Sequence, residues 1–212
     1  MPSTVVHLAL AGLIAAALLA TEFDGRALVI VLAIVAIPDL DTLIGLVVPG
    51  THRAALHTLL VPVVIAVLVF YDTRMRDESW LRRRWASERA GVIVWTAIAA
   101  YVLAGIAPDL FFNGVNLFYP LHDRFYTING DVLLSNERGL VQTLWQPAES
   151  VGGTTANTHY YTGVDTDRGA DPENVERIFP IARGGLQVLL ILLSMTVVTI
   201  RLWQHRRKTR KE

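Results

Sequence analysis

Cysteine is absent from the 212 residues. That excludes disulfides, thiolate nucleophiles and Cys-type zinc sites, and leaves only nitrogen and oxygen donors for any metal. Lysine is nearly missing too, occurring only at Lys208 and Lys211, so arginine carries almost all the positive charge. Net charge is zero, with 19 basic and 19 acidic residues. No overall field therefore points to nucleic acid as a partner, and where the charges sit becomes the informative quantity. No internal repeat is found. No Lys or Arg precedes the apolar run that begins at Val5, unlike the charged start of a secretory signal peptide. The run reads as a retained helix; a cleavage near Ala20 would instead remove His7.

What is abundant is apolar. Such residues make up 52% of the chain and are clumped into long runs. Crossing a bilayer takes about 20 mostly apolar residues, and residues 5–20, 59–71, 91–107 and 186–203 are candidates. A fifth run, 27–48, is long enough only if it includes Pro38, Asp39 and Asp41, so its helix is expected to break at Pro38. The expected fold is an all-α integral membrane protein of about five transmembrane helices, with a small extracytoplasmic insertion. Residues 1–109 form a four-span membrane core, 110–185 the extracytoplasmic segment, and 186–212 the fifth span and a basic tail.

Orientation follows from Arg and Lys, which accumulate in cytoplasmic loops. Arg74, Arg76, Arg82, Arg83, Arg84 and Arg89 crowd one loop; Arg201, Arg206, Arg207, Lys208, Arg210 and Lys211 crowd the tail. Both are assigned to the cytoplasm, which places the amino terminus outside and makes the chain a multi-pass protein of the cell membrane. In the outer segment, residues 125–128 and 131–134 flank Asn129-Gly130, a type I′ hairpin signal. Residues 149–171 are rich in Gly, Thr, Asn and Asp and read as an exposed loop. The acidic run 165–173 departs from EF-hand spacing and reads as a solvated part of it.

An ionisable side chain inside a span costs roughly 2.5–3.5 kcal/mol at its centre, so each needs a reason. His7, Asp39, Asp41, His52, His57 and Asp109 all fall at the outer face under this topology, which was set by other residues. Imidazoles and carboxylates converging in a partly dry place suit Zn²⁺, and equally Mn²⁺ or Fe²⁺. Asp39 and Asp41 project to nearly opposite sides of an α-helix, so both share a site only if the chain unwinds at Pro38; otherwise one is a ligand and the other supports it. His52 and His57 are five apart, about 140° around a helix. His52 is placed in a first helical turn after Pro49-Gly50 and a Thr51 cap, with His57 deeper on that helix. Arg53 can pair a spare Asp or contact an anion. His122 and His159 are further candidates that the sequence does not assign. Singly, each residue has a blander reading: an interfacial His, a helix-capping Asp, a loop carboxylate. The set on one face is what argues for a site.

These residues carry a resemblance. Thr-Val-Val-His7, Pro-Asp-Leu-Asp41, His52-Arg-Ala-Ala-Leu-His57 and Asp109-Leu-Phe-Phe-Asn-Gly114-Val-Asn-Leu-Phe-Tyr-Pro120, in that order, are similar to the YdjM-like family of membrane-bound proteins regarded as metal-dependent hydrolases. The resemblance covers the first four spans through about Phe125. It implies His7, Asp39, Asp41, His52, His57 and Asp109 as metal ligands. It departs at Gly105, where members commonly carry a His one helical turn before the Asp. The ligand order also resembles that of zinc-dependent phospholipases C and related nucleases.

The expected function is a membrane-bound hydrolase in which metal-activated water attacks an ester or phosphodiester, with membrane lipid as a candidate substrate. His7, Asp39, His52, His57 and Asp109 are its candidate ligands; Asp41 is its general base or ligand orienter and Arg53 its anion contact. The alternative is a non-catalytic membrane protein whose His, Asp and Arg cluster is structural or ion-binding. A transporter is disfavoured by the absence of repeats.

Overall fold

The computed structural model describes residues 3–85, 89–112, 114–128, 130, 132–144, 153–160 and 179–210. The chain divides into two units. One is helical and comprises Pro2–Ile37, Leu59–Gly105 and Pro180–Glu212; the other comprises Pro38–Thr58 and Ile106–Phe179, together with Met1.

In the helical unit, α1 (Thr4–Leu18) is apolar on all sides apart from Thr4 and His7, so its burial follows from small residues rather than from an amphipathic stripe. Ala11 and Ala15 of α1 pack with Ala27, Leu28, Val31 and Val35 of α2 (Gly25–Val35), and with Ile93, Ala97 and Ala100 of α6 (Arg89–Ala100). Alanines at such positions let helix backbones approach closely. α2 starts where the Asp24 carboxylate accepts the Ala27 N–H (2.8 Å). Arg89 ties the start of α6 to this corner through Asp24 and Glu22. α4 (Leu60–Arg74) leads to the short α5 (Trp80–Trp85), whose start is capped by Asp72 accepting the Trp80 and Leu81 N–H groups.

The last helix, α8 (Gly185–Thr209), lies along α1. Its Leu186, Val188, Leu189, Leu192, Leu193, Met195 and Ile200 are exposed, an apolar surface that suits lipid rather than water. Among the described residues two helices are long and apolar enough to cross a membrane. They are Gly185–Thr209 and the continuous stretch Arg89–Phe112, which contains a π-helical turn at Tyr101–Ile106. A third is reached if Gly25–Val35 and Pro38–Gly45 count as one broken span. α1 and α4 have 15 residues each, about 22 Å at the helical rise.

The second unit opens with a 3-10 turn at Pro38–Leu40 and the short α3 (Asp41–Gly45). The chain cannot run helically into Pro38, since proline removes a donor and disfavours the α conformation in the residue before it. Residues 52–57 then form consecutive turns, and α7 (Ala107–Phe112) supplies Asp109. Val115 pairs with Tyr126 through two backbone bonds of 2.8 and 2.9 Å. Asp123 clamps the segment 153–160: its carboxylate accepts the Thr155 N–H (3.0 Å), the Thr155 hydroxyl (2.7 Å) and the Asn116 side-chain amide (2.7 Å). Gly50 lies directly against this segment. A Cβ there would sit 1.9 Å from the Thr155 carbonyl oxygen, and its φ of +82° also favours glycine.

The expected hairpin is displaced. Its strands are β1 (Val132–Ser135) and β2 (Gly139–Gln142), paired antiparallel, rather than 125–128 with 131–134 around Asn129-Gly130. The Ser135 hydroxyl accepts the N–H groups of Glu137 and Arg138 (3.2 Å each), and Gly139 at φ +69° completes the turn. That local turn chemistry takes the strand that Asn129-Gly130 would have paired, and Tyr126 is already engaged with Val115. Much of 149–171, and all of the acidic run 165–173, lie outside the described residues.

At Gly12 an added Cβ would lie 2.8 Å from Ser194 Oγ and 3.1 Å from Val198 Cγ2. Gly12→Val is therefore expected to push α8 from α1 and destabilise the helical unit by about 1–3 kcal/mol, read as a lowered melting temperature in detergent. Burial alone would raise the Asp123 carboxyl, but the Thr155 and Asn116 hydrogen bonds outweigh it and hold it below its ordinary 3.8. A depressed carboxyl contributes stability that is complete above its unfolded pKa and is lost as pH falls through the folded one. The melting advantage of the wild type over Asp123→Asn should thus be full above about pH 4 and shrink below it. An advantage unchanged at pH 3 would contradict the clamp.

Candidate metal centre

The centre is built around Asp41. As the first residue of α3 it has no exposed surface, and both its oxygens are engaged. Oδ1 accepts the His52 Nδ1–H (2.8 Å); Oδ2 accepts the His57 Nδ1–H (2.7 Å) and the backbone N–H of Arg53 (2.9 Å). A carboxylate only accepts, so these contacts assign a proton to Nδ1 of each imidazole. His52 Nδ1 also lies 3.1 Å from the Thr42 hydroxyl.

This convergence needs a special backbone. Arg53 has φ +65°, a left-handed conformation that costs a non-glycine residue on the order of 1–3 kcal/mol. It turns the chain so that the Arg53 N–H and the rings on either side address one carboxylate. The helix expected over His52 and His57 is consequently not formed: both lie in turns, and α4 begins only at Leu60. Thr51 does not cap a helix either, since its hydroxyl donates back to the Val48 carbonyl (2.7 Å).

Nε2 of His57 faces two further carboxylates, Asp109 Oδ2 at 3.2 Å and Asp39 Oδ1 at 3.7 Å. A carboxylate oxygen of Asp39 and one of Asp109 also lie within 4.8 Å of each other. Asp39 and Asp41 thus both reach His57, on opposite nitrogens, because the 3-10 turn at Pro38 replaces α-helical spacing between them. Asp109 is held on its other oxygen by Arg53 Nη2 (2.7 Å), and both side chains are almost wholly buried. The Arg53 guanidinium also reaches the Gly114 carbonyl (3.4 Å), and the Tyr160 ring stacks on it at 4.9 Å.

The charges fit a cation. Three carboxylates against one guanidinium leave two negative charges around the imidazoles in a nearly dry place, and a divalent ion or protonation of an imidazole would offset them. Asp39 Oδ2 and His52 Nε2 are buried with no hydrogen-bond partner, and His57 Nε2 meets only carboxylate oxygens. Buried polar atoms of this kind need an explanation. An imidazole whose Nδ1–H is held by a carboxylate while Nε2 is left bare is the usual setting of a metal-ligating histidine. The donor set is all nitrogen and oxygen, which suits Zn²⁺, Mn²⁺ or Fe²⁺.

His7 belongs to the helical unit, buried on α1, with its Nδ1 against the carbonyl of Ala104 in the π-helical turn. Gly105 lies in the same turn, and Asp109 takes its partners from the 52–57 turns instead of from one helical turn before it. His122 is exposed beside Tyr126, and His159 is exposed. Sequence reasoning gave no role to Asn116, which is fully buried and whose N–H donates to the Arg53 carbonyl (2.9 Å). Its place in the Gly114-Val-Asn motif was the available signal. Tyr160 had none, lying in a loop without apolar period.

Arg53→Met should leave the Asp109 carboxylate buried and uncompensated, and lower stability by about 3–5 kcal/mol. Thermal melts of Arg53→Met and of Arg53→Met with Asp109→Leu check this. The double variant should recover much of the loss.

No curated protein and no solved structure matches the chain. The family described as YdjM inner membrane protein matches residues 1–206, well beyond the region around Phe125 where the sequence motifs end. With its apolar helices and its buried His, Asp and Arg constellation, the chain belongs to the YdjM inner membrane protein family.

Proposed function

We propose that this inner membrane protein is a metal-dependent hydrolase acting on an ester or phosphodiester at the outer membrane face, with a lipid as the candidate substrate. The observation that carries the reading is the His57 imidazole, held by Asp41 on Nδ1 with its Nε2 turned to the carboxylates of Asp39 and Asp109. Asp39, His57 and Asp109 would hold the ion, a nitrogen and oxygen donor set that suits zinc, and His52 Nε2 is a further bare donor. A bound divalent metal supplies a water of lowered pKa as nucleophile. Asp39 is the most exposed carboxylate of the cluster and marks the side from which water and substrate arrive. Arg53, committed to Asp109, balances charge there.

The proposed topology has five spans, with the amino terminus outside. It is supported by the Arg-rich loop between α4 and α6 and the basic end of α8, which belong on the cytoplasmic side. A second reading is favoured by the pairing of Arg53 with Asp109: a closed cluster that holds the unit together without catalysis.

Elemental analysis of protein purified in mild detergent distinguishes them. The hydrolase reading expects about one transition-metal ion per chain, lost in His57→Ala together with hydrolysis of ester or phosphodiester substrates. Absence of metal from the wild type, with no uptake of added zinc, would leave the closed cluster.

A further inference from the structure

Asp41 is the carboxylate of the centre that this reading does not place on the ion, although it accepts three N–H donors there. It is fully buried. A carboxylate offers about four lone-pair sites, so little capacity remains for abstracting a proton from a water, and no surface is open to one. Asp39 and Asp109 have the opposite character, with oxygens turned to the Nε2 of His57.

We propose that Asp41 is a positioning residue: a single carboxylate that fixes the proton on Nδ1 of both His52 and His57 and thereby presents two Nε2 atoms for a metal. Its link to metal rests on the hydrolase reading, but the proton placement does not. The two oxygens are unequal. Oδ1 receives one protein N–H, from His52, whereas Oδ2 receives two, from His57 and the Arg53 backbone. The backbone donor cannot change its proton, so an acceptor must stay at the Oδ2 position.

This asymmetry makes Asp41→Asn informative. The variant keeps the volume but has one acceptor oxygen and one amide donor. Its oxygen takes the Oδ2 position, where two donors converge, and its amide then faces His52 Nδ1. Two N–H groups cannot point at each other, so the His52 proton moves to Nε2, while His57 keeps its proton on Nδ1. The Thr42 hydroxyl, 3.1 Å from His52 Nδ1, is able to donate to the nitrogen so exposed. His52 Nε2 ceases to be a lone-pair donor, and zinc affinity falls by about 10–100-fold, as for loss of a carboxylate behind a metal-bound histidine.

The test is long-range ¹H–¹⁵N spectroscopy of ¹⁵N-histidine-labelled full-length protein in detergent, with His52→Gln and His57→Gln for assignment and zinc alone as the titrant. The wild type should carry a proton on Nδ1 of both rings. Asp41→Asn should move that of His52 alone. A wild-type ring with bare Nδ1 overturns the proposal, and so does an Asp41→Asn spectrum in which both rings are unchanged or His57 moves instead. If that variant does not fold, the wild-type spectrum still decides. Correct tautomers without zinc binding would sink the metal reading and leave this one standing; zinc binding with the wrong tautomers would do the reverse.

Discussion

The bond from the Arg53 backbone N–H to Asp41 fixes more of the second unit than its length of 2.9 Å suggests. It holds a left-handed residue in place and aims a ring from each side of Arg53 at the same carboxylate. It also sends the guanidinium inward to Asp109. The Arg53 carbonyl, meanwhile, receives Asn116, whose side chain binds Asp123, which in turn clamps Thr155. The buried charges are therefore anchored to backbone as well as to one another, which is how a strained turn of this kind persists.

Burying three carboxylates, a guanidinium and two imidazoles is a poor way to gain stability, because desolvation offsets most of the attraction. The helical unit uses the opposite economy, alanine and aliphatic contacts with polar tethers at the corners such as Arg89 with Asp24. Where one unit depends on close apolar packing, the other depends on paired and hydrogen-bonded charge.

The membrane character was legible because long apolar runs need no tertiary information to be read. Pro38 announced the break before Asp39, and the order of the Pro-Asp-Leu-Asp and His-Arg motifs announced which polar residues belong together. The conformation of residues 52–57 was not legible: a left-handed φ at arginine has no local sequence signal, unlike the same φ at glycine. The hairpin was displaced because two turn signals compete within ten residues, and strand pairing is decided by contacts that neither turn encodes. Tyr160 meets Arg53 across more than a hundred residues, and only the folded chain brings them together.

The π-helical turn at Tyr101–Ile106 sits three residues before Asp109 on one continuous helix. Such a turn accommodates one residue more than an α-turn, and one residue is worth about 100° of rotation. It acts as an indexing step, setting the azimuth at which Asp109 leaves its helix axis independently of how the preceding turns are packed. Alignments of relatives that differ by one residue here would misjudge which side chains share a face with Asp109. The residue four before it, Gly105, lies within the widened turn.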